Sequence, residues 1–163
     1  MAKLVNTLLD VLRQWQRAQR ERDRLAGPTT KPSRPPARRV EHGVRVEYSP
    51  DLDGDADPGE VVWGWVPYEE DATRGKDRPI VIIGRSGDDL AGVPLTSRHK
   101  GRHDHVPVGT GGWDPKRRDS WAKVDRLLTI SPSDIRREGA ILSRDRFDDV
   151  VAGLSEYHDL VRV

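Results

Sequence analysis

The sequence predicts a mainly β (α+β) domain: a small, strongly bent sheet or partial barrel with a C-terminal helix, preceded by a separate amphipathic helix. Three patterns carry this expectation. Short runs rich in β-branched and aromatic residues recur between turns rich in Gly, Pro and Asp. Apolar residues at helical spacing follow Ser143, and a second stripe of that kind opens the chain, set apart by a proline-rich stretch.

Taken in order, Leu4, Val5, Leu8, Leu9, Leu12 and Trp15 predict a helix within residues 1–26. Beyond Trp15 it is almost wholly charged, with Arg17, Arg20, Glu21, Arg22, Asp23 and Arg24. Its apolar stripe is too small to form a domain and must dock on the main domain, a second copy, a partner or a membrane surface. Acids mixed among the arginines favour protein over membrane. Residues 27–43 read as a linker: Gly27 to Arg39 holds four prolines and no bulky apolar residue, so it is extended, semi-rigid and basic.

The domain proper is expected over 44–163. A short strand at Val44–Tyr48 leads to an acidic loop with Asp51, Asp53, Asp55, Asp57 and Glu60. A calcium loop wants its Gly sixth and its Glu twelfth. Here Gly54 is fourth and Glu60 tenth, so a solvated acidic turn is expected. Five strands follow, at Val61–Val66, Pro79–Gly84, Leu90–Thr96, His105–Val108 and Trp121–Ile130. Ser131, Pro132, Ser133 and Asp134 supply turn and N-cap residues. The final segment, with Phe147, Val150, Val151, Leu154 and Tyr157, predicts an amphipathic helix on the sheet.

A chain of 163 residues fits one domain plus an appendage. It has no cysteine, which removes disulfides and thiolate metal sites. Asn6, Thr7 and Asp10 break the apolar start, so no secretory signal is expected there. No apolar run reaches the roughly 20 residues that span a bilayer. A soluble, cytoplasmic protein is the expectation. Charge is balanced overall but not along the chain: residues 1–40 carry ten basic and three acidic side chains, the remainder 18 and 24. A polyanion site in the acidic part has to be a local patch.

Three segments offer one. In Gly75-Lys76-Asp77-Arg78-Pro79, proline holds the preceding residue extended, which places Arg78 at the mouth of a strand, as a phosphate grip or as a surface cap. Thr96 and Ser97 leave the end of an apolar strand beside Arg98, either as donors to a phosphate or as plain turn residues. Lys123 and Asp125 share a face if their strand is continuous. The carboxylate could then take a proton while the ammonium stabilises an anion; the alternative is an ion pair worth under about 1 kcal/mol. Residues 98–126 add Lys100, Arg102, Lys116, Arg117, Arg118 and Arg126, eight cations against four acids, interleaved with Trp113 and Trp121. That is the composition of a single-strand nucleic-acid platform; a solvated loop with inward tryptophans is the other possibility. His99, His103 and His105 are spaced as zinc ligands are, yet Lys100 and Arg102 between them oppose a metal, so they are taken as basic surface. There is no Walker or dinucleotide loop and no Ser-His-Asp set.

In register, Pro58-Gly59-Glu60-Val61-Val62-Trp63, Gly75 to Pro79 with Ile80–Ile83, Pro94-Leu95-Thr96-Ser97 and Lys123-Val124-Asp125-Arg126-Leu127-Leu128-Thr129-Ile130 resemble the MazF/PemK family of toxin ribonucleases from bacterial toxin–antitoxin systems. The resemblance covers residues 57–155. It implies an SH3-like β-barrel of the MazF/PemK/CcdB type that forms a homodimer, pairs with a cognate antitoxin and cuts single-stranded RNA at short sequence motifs without a metal or other cofactor. The substrate's 2′-hydroxyl would attack the phosphodiester, leaving a 2′,3′-cyclic phosphate and a 5′-hydroxyl. By position, Arg78 matches the loop arginine of catalysis, Thr96 and Ser97 the hydroxyl pair, Lys123 a general acid that is arginine in some members, and Asp125 the general base. Lys76, Arg98, Lys100, Arg102, His103, Lys116, Arg117, Arg118, Trp113 and Arg126 are the expected RNA contacts. Ala72 stands where some members carry a loop histidine, and residues 1–50 have no counterpart. Two other functions fit the same barrel: a CcdB-like toxin acting on a protein target such as DNA gyrase, and a catalytically silent RNA- or protein-binding module.

Overall fold

The computed structural model describes residues 43–162, and its sheet is organised around one apolar run. Ile80, Val81, Ile82 and Ile83 are all fully buried. Successive side chains of a strand point to opposite faces, so the run feeds two cores. Ile80 and Ile82 join Val62, Val66, Leu90, Leu128 and Ile130. Val81 and Ile83 join Val44, Val61, Val93, Leu95 and the C-terminal helix.

The described elements are β1 (Val44–Val46), β2 (Glu60–Pro67), β3 (Gly75–Ser86), β4 (Asp89–Thr96), β5 (His105–Gly109), β6 (Ser120–Lys123), β7 (Leu128–Ile130), β8 (Ile135–Ile141), α1 (Arg144–Leu154) and β9 (Leu160–Arg162). They form a half-barrel with one helix. β3 pairs with β1, β2 and β4; β2 continues to β8; β4 pairs with β6 and β7; β6 pairs with β5. β9 runs parallel beside β1. The curl comes from local irregularities. The β3–β4 register shifts between Ile82 and Gly84, where a side chain at Gly84 would lie 2.0 Å from the Arg45 carbonyl oxygen. Only glycine lets β1 cross β3 that closely.

Several expectations needed correction. The segment expected as one strand over Trp121–Ile130 is two, because β4 changes partner: Leu90–Gly92 face β7, while Leu95 and Thr96 face β6. Between them Val124–Leu127 turn away, held by Val124 N–H to the Asp104 carbonyl (3.0 Å) and Arg126 N–H to that of Lys123 (3.1 Å). β3 begins at Gly75, not at Pro79, so Arg78 lies within the strand, opposite Gly64, rather than at its mouth. Pro132–Asp134 form a single 3₁₀ turn, with Ser131 at its N-cap, that leads into β8, a strand the sequence did not reveal, and β9 was likewise missed. The helix ends at Leu154, and Tyr157 lies beyond it, 40% exposed. Its buried face is Phe147, Val150, Val151 and Leu154, the i, i+3, i+4, i+7 stripe of an amphipathic helix. Gly153 brings it against β5 and the turn: a side chain there would meet Val106 at 2.7 Å.

The helix expected over 1–26 and all but the last residue of the linker expected over 27–43 lie outside the described residues. Among the described residues no helix is long and apolar enough to cross a membrane.

Candidate active site

β3, β4, β6 and β5 lie side by side in that order, and their registers bring chemistry-bearing residues into one row. Ile80 pairs with Pro94, Thr96 with Trp121 and Lys123 with His105. Two residues before Ile80, on its face, stands Arg78; two residues beyond Pro94 stands Thr96. The row opens into a cavity of about 380 Å³ whose walls include Lys76, Arg78, Thr96, Ser97, Arg98, Lys100, Arg102, His105 and Lys123. A second cavity of about 270 Å³ shares Arg78 and Lys123 with it and adds Tyr68, Glu69, Glu70, Pro94 and Arg126. Three segments far apart in sequence therefore converge, at residues 76–78, 96–98 and 123–126.

The cations crowd one another. Burial lowers the Arg78 pKa, and Arg126 and Arg98 add to that, while Tyr68 and Glu69 oppose it. Lys76 is lowered chiefly by Arg78, then by burial and Arg98. Crowded positive charge at the mouth of an otherwise acidic domain is a seat for an anion. Thr96 Oγ1 accepts the Arg98 N–H at 3.1 Å, which turns the chain out of β4 and leaves Ser97 exposed.

Two carboxylates answer the cations. Glu69, on the loop between β2 and β3, pairs with Lys123 and lies 3.9 Å from Arg126 Nε. The hydrogen bond from Lys123 holds its carboxyl below the usual range. Asp104, 3% exposed, accepts Arg102 Nε at 2.8 Å and Nη2 at 2.6 Å. That fork holds its carboxyl well below the ordinary range and raises the Arg102 pKa. Arg102 is thus committed to a carboxylate, and its Nη2 also lies 3.9 Å from Asp125 Oδ2.

Asp125 sits on the turn after β6, so it and Lys123 do not share a strand face as expected. It is not in the wall of either cavity; it reaches the site through Arg102 and the charge of Lys123. Burial raises its pKa, Asp104 and Glu69 push the same way, and Lys123 opposes. Its Oδ1 is buried without a hydrogen-bond partner in the structure, a costly state for an ionised carboxylate. A carboxyl in that setting holds its proton more tightly than usual and is a correspondingly stronger base.

One more expectation fails here. Trp113 is 3% exposed, inside the core, with Nε1 3.3 Å from Ser120 Oγ and its carbonyl accepting Trp63 Nε1 at 3.0 Å; it cannot stack on a base. His105 is half-buried in the cavity wall: its Nε2 is buried without a partner, and burial lowers its pKa. Its Nδ1 lies 3.4 Å from that of His99, which stacks on Trp121 at 4.9 Å. Lys116, Arg117, Arg118 and His103 are exposed but line neither cavity. Arg118 is held by Asp114 at 2.7 Å. Among the described residues no group of three or more His, Asp or Glu is placed to hold a metal ion. Glu69 and Asp104 were missed because each is one acid in a run of charges, and only tertiary pairing singles them out.

A family profile described as PemK-like, MazF-like toxin of type II toxin–antitoxin system matches residues 57–158. Among solved structures, MazF (Form-I) from Deinococcus radiodurans aligns with TM-score 0.53 at 19% identity, covering 64% of this chain and 96% of that one. MazE-MazF (Form-II) from the same organism aligns with TM-score 0.51 at 17% identity, covering 67% and 100%. The Mycobacterium tuberculosis toxin MazF-mt6 aligns with TM-score 0.46 at 20% identity, covering 61% and 98%. No curated protein sequence matches. At these identities the Deinococcus structures support the half-barrel fold alone.

Proposed function

The chain belongs to the PemK-like, MazF-like toxins of type II toxin–antitoxin systems, and on that premise we propose that it is an endoribonuclease that cuts single-stranded RNA without a metal. The observation that carries this is the cavity that gathers Arg78, Thr96, Ser97 and Lys123. In the proposed reaction the RNA's own 2′-hydroxyl is the nucleophile, so no water needs activation. Asp125, 24% exposed beside the cavity wall at Arg102, takes the 2′-proton through Oδ2 as the oxygen attacks phosphorus. Lys123 donates a proton to the departing 5′-oxygen. Arg78, fixed by its strand, stabilises the charge that builds on the phosphoryl oxygens, with Thr96 and Ser97 as hydroxyl donors. The products are a 2′,3′-cyclic phosphate and a 5′-hydroxyl. Lys76, Arg98 and Lys100 hold neighbouring phosphates.

A protein-directed barrel toxin has no use for a cavity walled by this many cations, which favours RNA as the target. Assembly as a homodimer and inhibition by a cognate antitoxin belong to the same proposal; one of the Deinococcus structures sharing the fold is a MazE-MazF complex. The test is incubation of purified protein with a long single-stranded RNA in EDTA. Discrete fragments with 5′-hydroxyl ends are expected, and none from the Arg78→Ala protein. Cleavage only with added metal, or equal cleavage by Arg78→Ala, would reject the reading.

A further inference from the structure

The smaller cavity carries an anion of its own. Glu69 reaches from the β2–β3 loop to Lys123, with Arg126 close on its other side. The Glu69 side chain is 49% exposed, whereas those of Lys123 and Arg126 are 20% and 18% exposed. The guanidinium of Arg126 is also oriented, since Nη2 donates to the Pro67 carbonyl at 3.0 Å. The cations are therefore fixed parts of the fold, and the carboxylate between them is a visitor from a loop. Asp104 on Arg102 differs: it is buried and gripped by two hydrogen bonds. An exposed ion pair holds weakly and exchanges readily. A phosphodiester carries the same single negative charge as Glu69 and the same kind of acceptor oxygens.

We propose that the cavity bounded by Arg78, Lys123 and Arg126 is a phosphodiester subsite whose place Glu69 fills until nucleic acid enters. Binding there swaps a carboxylate for a phosphate. The proposal rests on the RNA reading above and deepens it. The larger cavity holds the reacting phosphate, the smaller one an adjacent phosphate, and Arg78 and Lys123 form the wall they share. Only the smaller cavity has an internal anion to displace, so a polyanion long enough to fill both cavities can meet that cost with contacts made in the larger one.

The test uses the full chain and a labelled single-stranded DNA oligonucleotide, which has the phosphates but no 2′-hydroxyl and cannot be cleaved. Its affinity is measured across salt concentrations for wild type, Glu69→Gln, and Asp88→Asn as a control of equal charge change on an exposed turn. Glu69→Gln is expected to bind about three- to tenfold more tightly at low salt. Its salt dependence should steepen by about 0.7 in the log–log slope, because Lys123 and Arg126 then neutralise one more phosphate, which releases its condensed cation. Asp88→Asn should stay within about twofold. In a Lys123→Met/Arg126→Met background the gain from Glu69→Gln should vanish. Unchanged or weaker binding by Glu69→Gln, an equal gain from Asp88→Asn, or no DNA binding by either protein overturns the subsite. RNA cleavage is scored in parallel. Tighter DNA binding with no RNA cleavage upholds the subsite and rejects the nuclease. RNA cleavage with no change in DNA binding does the reverse. Lost cleavage with unchanged binding would make Glu69 a reacting group and overturn its role as a placeholder.

Discussion

The cations of residues 76–78, 98 and 123–126 and those of residues 116–118 are alike in sequence, basic side chains with a tryptophan nearby, and differ in what anchors them. The first set stands within β3 or at and just beyond the ends of β4 and β6, where paired strands hold the chain, and it lines two adjoining cavities. The second rides a loop whose tryptophan, Trp113, turns inward to the core, and whose Arg118 is spent on Asp114. Composition cannot separate a nucleic-acid surface from a solvated loop. Register can, because it decides which cations share a cavity.

Substitutions can break or sharpen that contrast. Trp113→Ala has the largest expected effect, a loss of about 3–5 kcal/mol of stability from the emptied core site, read as a fall in the denaturation midpoint. If Trp113 instead served RNA, the midpoint would hold while affinity fell. Arg78→Ala should lower kcat/KM for RNA cleavage by about 100- to 1,000-fold with little change in the midpoint; a stability loss as large as that of Trp113→Ala would erase the distinction. Next comes pH. Since burial raises the Asp125 pKa, the rate should fall as pH drops through a value above the ordinary Asp pKa of about 4, because the base must be ionised to act. A limb at or below that value would remove Asp125 from the role. For Asp104 the sign is opposite. Its depressed pKa contributes stability that is present above about pH 4 and lost as pH falls below it, so acid unfolding should be shallower in Asp104→Asn. The smallest effect is expected from Lys116→Ala/Arg117→Ala/Arg118→Ala, which should leave RNA affinity within about twofold at moderate salt.

Much of the fold could be read from the sequence because its strands are punctuated. Gly, Pro and Asp bracket Val61–Val66 and Leu90–Thr96, and both fall within a residue of where they were expected. The run Val124–Leu127 has neither Gly nor Pro, and its Asp125 fits the alternation of a continuing strand. It turns because Asp104 and β4 require it, and a window of ten residues contains neither. β8 was missed for a related reason: the sequence Ile135-Arg136-Arg137-Glu138-Gly139 has no alternation, and its strand exists by pairing with β2. The site was legible as far as its residue types and order allowed. Arg78, Thr96, Ser97 and Lys123 do converge, while the counter-ions Glu69 and Asp104 needed three dimensions.

Where β4 trades β7 for β6, Val93 and Pro94 lie between the two pairings, and Pro94 has no N–H to give to either neighbour. The site is thereby carried on two pieces, with Arg78 on the half-barrel and Lys123 on the β5–β6 hairpin beyond the seam. Their separation is set by leverage, and the strut against the hairpin is α1, seated on Val106 through Gly153. A methyl group added at Gly153 would meet Val106 at 2.7 Å and Val124 at 3.3 Å, so helix or hairpin would have to give. The piece that carries Lys123 is thus braced by a glycine outside the walls of both cavities.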